Sequence, residues 1–268
     1  MNVSIYPPEI EFASHLARKA GKVLLEYFQN GRLAIQRKKD RTLVTQADLA
    51  VDELIHSEIQ KYFGGDFILS EEVSPTFEAS SAKGWIVDPL DGTTNFALGL
   101  HYWGVLICRV ENGAPTFTVQ YFPALEEFYQ AQLNEPSKLN DQPIRVEDSS
   151  HNQRISFFSC CSRAHRIYEI NLRYKTRILG SAGYSLASVA RGAARIAFDA
   201  QAKIWDIAGA WLLVPQAGGI IGPLDGASPF PLKMYFDYST QDYAVLAAAS
   251  PQYFQEGLDK IHLKPTST

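Results

Sequence analysis

With 268 residues, 46% of them hydrophobic, the chain can bury one large core or two modest ones, which excludes a disordered protein. A net charge of -4, with 25 Lys and Arg scattered along the sequence, argues against nucleic acid as a main ligand, and the local run Arg37, Lys38, Lys39, Arg41 reads as a solvated loop. The 3 cysteines, two of them adjacent, make neither a disulfide framework nor a zinc site, and no apolar run or leader pattern points to a membrane, so a cytoplasmic protein is expected.

In chain order, Phe12, Leu16, Ala20, Val23, Leu24, Tyr27 and Phe28 recur at helical spacing, with Gly31 as a C-cap. After Leu43-Val44-Thr45, a second helical pattern runs from Ala47 through Val51, Leu54 and Ile59 to Phe63 and Gly64-Gly65. Phe67-Ile68-Leu69 reads as a strand ending in Ser70-Glu71-Glu72, and Trp85-Ile86-Val87 as a strand that Pro89 stops at Asp88. Tyr102–Val110, Thr116–Phe122 and Glu127–Leu133 suggest an antiparallel meander, its first pair joined by Asn112-Gly113. The polar stretch Asn134–Asn152 is the best boundary, dividing the chain into an N-terminal α+β part, 1–145, and a C-terminal α/β part, 146–268. Beyond it the pattern predicts strand Ile155–Phe158, helix Ala164–Tyr174, strand Arg177–Leu179 and helix Ser181–Phe198. A helix Asp206–Ala217 ending at Gly218-Gly219, strand Tyr243–Ala248 and helix Gln252–His262 complete it.

The candidate chemistry lies in acids that terminate apolar elements. Asp88 follows Trp85-Ile86-Val87, Glu71 follows Phe67-Ile68-Leu69, and Asp206 follows Ile204-Trp205. A charge at the inner end of an apolar element is costly unless paired or metal-bound, and no equal supply of Lys or Arg lies beside these acids. Mg²⁺ is the expected partner, because it takes oxygen ligands and joins carboxylates to phosphate. Asp91-Gly92-Thr93-Thr94 has the composition of a loop entering a helix N-terminus, where free amides attract anions. No EF-hand loop, Walker loop, dinucleotide-binding glycine motif or nucleophile elbow is present.

The segment Asp88-Pro89-Leu90-Asp91-Gly92-Thr93-Thr94-Asn95-Phe96 resembles the signature of the inositol monophosphatase family of Mg²⁺-dependent, lithium-sensitive phosphatases, and Trp205-Asp206-Ile207-Ala208-Gly209-Ala210 resembles its second signature. The resemblance implies a layered αβαβα sandwich of the inositol monophosphatase and fructose-1,6-bisphosphatase type, a homodimer, and two or three Mg²⁺ ions. It places Glu71, Asp88, the Leu90 carbonyl, Asp91 and Asp206 as metal ligands, and Glu71 and Thr93 as the groups that align or activate the attacking water. Asp48 would be the partner of the Thr93 hydroxyl. Asp91, Gly92, Thr93, Gly180, Ser181, Ala182, Asp199 and Asp206 would contact the substrate. Asp199 stands where inositol phosphatases usually have Glu, Arg195 where an acid is common, and Pro215 is expected to interrupt the helix that follows Asp206. The substrate implied is a small hydroxylated phosphate, inositol monophosphate first. Fructose 1,6-bisphosphate, histidinol phosphate and 3'-phosphoadenosine 5'-phosphate are the alternatives, and a regulatory or RNA-associated binding role on the same fold is the alternative class.

Overall fold

Ile10, Ala13, Leu16, Ala17, Ala20 and Leu24, three and four residues apart, give helix α1 (Pro8–Asn30) one buried stripe. The structure, a computed structural model, describes residues 8–30, 35–37, 43–72, 76–77, 82–146 and 156–265. Gly31, Lys38, Lys39, Arg41, the 147–152 part of the predicted boundary and Ile155 lie outside these. Helix α2 (Gln46–Tyr62) begins with a capping box: Thr45 Oγ1 accepts from the Ala47 and Asp48 amides, and the Asp48 carboxylate accepts from the Thr45 amide at 2.8 Å. The cap fixes Asp48 in the first turn, where the site needs it.

Strands β1 (Phe67–Ser70), β2 (Lys83–Asp91), β3 (Gly104–Glu111), β4 (Ala114–Phe122), β5 (Glu127–Gln132), β6 (Lys138–Leu139) and β7 (Gln142–Pro143) form one sheet in that sequential order, with helix α3 (Thr93–Ala97) leaving the end of β2. β1 runs parallel to β2 and every other pair is antiparallel, so the expected meander is present. Asn112 and Gly113, at φ 50° and 77°, make its hairpin turn. Period-2 alternation divides the faces. Trp85, Val87, Val105, Ile107, Phe117 and Val119 pack on α1 and α2, while Ile86, Leu106, Cys108, Phe122 and Tyr129 face the other way.

That inner face packs on helices α4 (Ala182–Ala190), α5 (Ile204–Ile207) and α6 (Ala210–Gln216). Behind them lies a second sheet of β8 (Phe157–Cys160), β9 (Lys175–Arg177), β10 (Ala194–Ala202), β11 (Ile220–Pro223) and β12 (Tyr243–Ala248), in the order β9-β8-β10-β12-β11. Helix α7 (Pro251–Lys260) covers its far side, where Phe158, Cys160, Ile196, Phe198 and Leu246 form a third core. The layers therefore run αβαβα, as expected.

Several boundaries differ from the sequence reading. Pro89 does not stop β2, because the strand passes it in a bulge, one of the few places where a residue without an amide hydrogen is tolerated inside a sheet. The predicted helix Ser181–Phe198 is instead α4 followed by β10. Gly192, at φ 77°, closes α4 in a Schellman motif with Gly192 N donating to Val189 O and Ala193 N to Ser188 O, both at 2.9 Å. The predicted helix Ala164–Tyr174 is a single turn, Ala164–Ile167, after which Tyr168–Ile170 pairs with Ile261–Leu263 beyond α7. The helix after Asp206 divides at Ala208 and Gly209, and Pro215 sits inside α6 rather than at a break. Gly209 is pressed against Gln120 and Thr118, where a Cβ would lie 2.5 Å from their side chains.

Candidate metal and phosphate site

Asp88 and Asp91 are three residues apart, a spacing that in a regular strand sends side chains to opposite faces. The bulge cancels this. Asp88 lies opposite Leu106 and Asp91 opposite Gly104, so three steps on β2 match two on β3, and both carboxylates emerge on the inner face. Leu90, inside the bulge, turns its side chain into the outer core, and its amide donates to Asp88 Oδ1 at 3.0 Å. Gly92 follows at φ 86°, with no room for a Cβ, which would come 2.6 Å from the Tyr102 carbonyl oxygen.

From there the neighbours are held by hydrogen bonds. The Thr93 hydroxyl lies 3.1 Å from Asp48 Oδ1 and 3.0 Å from the Leu90 carbonyl oxygen. Asp48 is thus anchored to the α2 cap by one oxygen and to Thr93 by the other. Asp91 ties β2 to the start of α4: Oδ1 accepts from Ala182 N and Oδ2 from Gly183 N, both at 3.1 Å, and Ser181 Oγ donates to Oδ2 as well. Asn95 makes the second tie, its amide nitrogen donating at 2.7 Å to both the Tyr102 and Leu179 carbonyls. Gly180, at φ 75°, passes so close to Asn95 that a Cβ would fall 2.6 Å from it.

Asp206 arrives from the opposite layer. Its Oδ2 accepts from the Lys203 amide at 2.8 Å, which sets it in the first turn of α5. Ligand atoms of Asp88, Asp91 and Asp206 all lie within 4.8 Å of one another. Among the described residues no Lys or Arg pairs with any of them. Burial first, then the charges of Glu71, Asp206 and Asp91, push the Asp88 carboxyl well above the usual carboxylate range. Burial and the charge of Asp91 do the same to Asp206, and burial lifts Asp91 to about 6 against the pull of its hydrogen bonds. Burial also raises Asp48 and Asp199. Glu71, just beyond β1, lines the same cavity of about 480 Å³ and contributes to the shifts of Asp48 and Asp88. The oxygen-only set of Asp88, Asp91 and Asp206, with no Lys or Arg paired to it among the described residues, fits a hard divalent ion.

The sequence pattern of the inositol monophosphatase family matches residues 7–261 of this chain. The chain belongs to the inositol monophosphatase family. Among its relatives, a protein of Chlorobaculum parvum named histidinol-phosphatase is 33% identical over 79% of this chain and 84% of its own length. A Nus factor SuhB of Pasteurella multocida is 31% identical over 95% of this chain and 96% of its own. The solved structure of the extragenic suppressor protein suhB from Bartonella henselae superimposes with a TM-score of 0.80, at 25% identity, covering 95% of this chain and 99% of that one.

Every candidate residue read from the sequence therefore borders one cavity or supports it. Glu71, Asp88, Leu90, Asp91, Gly92, Thr93, Gly180, Ser181, Ala182, Asp199 and Asp206 line it, and Asp48 stands behind Thr93. Asp199 reaches it from β10, not from a helix end, with Oδ1 accepting from the Gln201 amide at 3.0 Å. The sequence reading passed over Cys161, Ser162 and Arg163, which follow β8 and form the wall beside Asp199, and Asn95, whose contact with Leu179 spans 84 residues. The one signal for the first three was a strand ending in polar residues, the same pattern that marked Glu71 and Asp88.

Proposed function

We propose that this chain is a Mg²⁺-dependent phosphomonoesterase acting on a small hydroxylated phosphate, with inositol monophosphate the first candidate. The observation that carries this reading is the convergence of Asp88, Asp91 and Asp206, with no cationic partner among the described residues, beside a cavity lined with hydroxyls and backbone amides. Glu71, Asp88, the Leu90 carbonyl, Asp91 and Asp206 would hold two or three Mg²⁺ ions, Asp88 being shared. When bound, such ions lend positive charge to phosphoryl oxygens and make water a usable nucleophile near neutral pH. The chain's own residues do the rest. The Thr93 hydroxyl donates to Asp48 Oδ1 and has the Leu90 carbonyl nearby, so as its lone pair takes a proton from the attacking water its own proton passes to the Asp48 carboxylate. Glu71 aligns that water from β1. The Gly92 and Thr93 amides, where β2 turns into α3, hold phosphate oxygens. Gly180, Ser181, Ala182 and Asp199 receive the alcohol.

The reading extends to a cytoplasmic homodimer inhibited by Li⁺, and to a division near 145/146 in which neither half completes the site alone. The test is phosphate release from inositol monophosphate, fructose 1,6-bisphosphate, histidinol phosphate and 3'-phosphoadenosine 5'-phosphate, with Mg²⁺, with a chelator and with Li⁺. Release that requires Mg²⁺ is expected for at least one of them; no release from any overturns the proposal. Thr93→Ala is expected to lower kcat about 100-fold with Mg²⁺ binding retained, and Thr93→Ser to stay within a few-fold of wild type. Equal rates for Thr93→Ala and wild type would remove Thr93 from the mechanism. The likeness to a Nus factor SuhB motivates a second reading, a regulatory or RNA-associated binding role on the same fold, which a pull-down against RNA and transcription proteins checks.

A further inference from the structure

The corner joining β10 to α5 carries Asp199 at one end and Asp206 at the other, and it is irregular. Asp199 lies opposite Val245 and Ala202 opposite Tyr243, so β10 has a bulge of its own, three steps against two. With the ladder interrupted there, side chains from outside the strand shape the corner. The two that reach out from it, Gln201 and Lys203, end on one residue. Gln201 Nε2 donates to Asp242 Oδ2 at 3.1 Å, and Lys203 Nζ lies 2.9 Å from Asp242 Oδ1. Lys203 Nζ also donates to the Ser239 carbonyl at 2.6 Å.

The turn that leads to these acceptors is itself braced, while the Asp242 side chain lies at the surface. Asp237 Oδ1 accepts from the Ser239 amide and hydroxyl at 2.9 and 2.6 Å, and the buried Tyr238 accepts from Lys233 N at 2.7 Å. The turn that presents Ser239 and Asp242 is therefore pinned to the core. What it holds matters because of where Lys203 starts. The Lys203 amide is already 2.8 Å from the Asp206 carboxylate, and a lysine stem is long and flexible enough to fold its ammonium back onto that carboxylate. Three clustered acids are an attractive destination for a single positive charge, and an ammonium seated among them would occupy the place of a divalent ion.

We propose that Asp242 is a positioning residue for the metal site: it holds the Lys203 ammonium outward, away from Asp206, and braces Gln201 against the cavity wall. The proposal rests on the metal reading above. It is tested by calorimetric Mg²⁺ titration of four metal-free proteins, wild type, Asp242→Ala, Lys203→Met and the double variant, with Asp242→Asn as a milder neutral form. Asp242→Ala is expected to bind Mg²⁺ about tenfold more weakly, and Asp242→Asn to be weakened in the same direction. Lys203→Met is expected within twofold of wild type. The double variant is expected to recover the Lys203→Met value, because the competing ammonium is gone. If Mg²⁺ binding of both Asp242 variants equals that of wild type, or the loss in Asp242→Ala persists in the double variant, Asp242 does not act through Lys203 and the proposal is overturned. Wild-type protein that binds no Mg²⁺ would overturn the metal reading and this proposal together, so the two failures are told apart by the wild-type titration.

Discussion

Asp88→Asn is expected to lower phosphate release roughly 1000-fold or more while the fold stays intact. Asp88 is the carboxylate on which the bulge in β2 acts most directly, and its side chain is 1% exposed with Oδ1 accepting from the Leu90 amide at 3.0 Å. An asparagine oxygen can accept that same bond, so the bulge keeps its internal hydrogen bond. What is lost is the negative charge that Asp91 and Asp206 need beside them to bind a divalent ion. Burial and three neighbouring acids already make the charged form of Asp88 costly in the metal-free protein. The metal-free variant is therefore expected to melt at or above the wild-type temperature, the reverse of most buried substitutions. Turnover, Mg²⁺ titration and thermal melts of the metal-free proteins check both halves. Wild-type turnover would sink the metal assignment, and a melt many degrees lower would make Asp88 a structural group.

The part of the site that the sequence revealed is the part where chemical type and position coincide locally. Acids at the ends of Phe67-Ile68-Leu69 and Trp85-Ile86-Val87 stand out because each is a charge where burial is due, and Asp206 stands out for the same reason. The stretch from Ser181 to Ala202 hid its structure because amphipathic contrast is absent. Gly183 through Ala190 are all buried, as are most positions of β10, so neither period 3.6 nor period 2 shows. Gly192 was the one glycine in this stretch beyond the first turn of α4, and an alanine-rich run read through it as one helix. The bulges were hidden for a different reason. Pro89 correctly signals that a ladder bond is missing, but whether the strand stops or merely bulges depends on β3 continuing alongside, and nothing local reports that. Asn95 and the Cys161-Ser162-Arg163 wall belong to the same class, since their meaning lies in Leu179 and Asp199, far along the chain.

Mg²⁺ is expected to stabilise the protein more at pH 8 than at pH 5. In the metal-free fold Asp91 is pushed up to about 6, and Asp88 and Asp206 are raised further by burial and by one another. In the unfolded chain the same groups titrate near the ordinary value of about 4. Above that value the folded state holds more protons than the unfolded one, so the unfolding free energy of the metal-free protein falls as pH rises from about 4, through about 6 for Asp91, and keeps falling above that until Asp88 and Asp206 have ionised as well. At pH 5 protons neutralise part of the cluster and compete with the ion. At pH 8 the acids are left to an ion that binds only the folded state, and free Mg²⁺ at 100 times its dissociation constant then adds about 2.7 kcal/mol. For a chain of this size that corresponds to a rise in Tm of roughly 5 to 10 °C. Melts with and without Mg²⁺ at the two pH values measure it. A shift that is equal at both, or larger at pH 5, would mean that the ion binds somewhere other than the buried acids, and Asp88→Asn should then leave that shift unchanged. With the ion on the cluster, the same substitution should remove most of the shift at pH 8, because it deletes one of the charges on which the linkage depends.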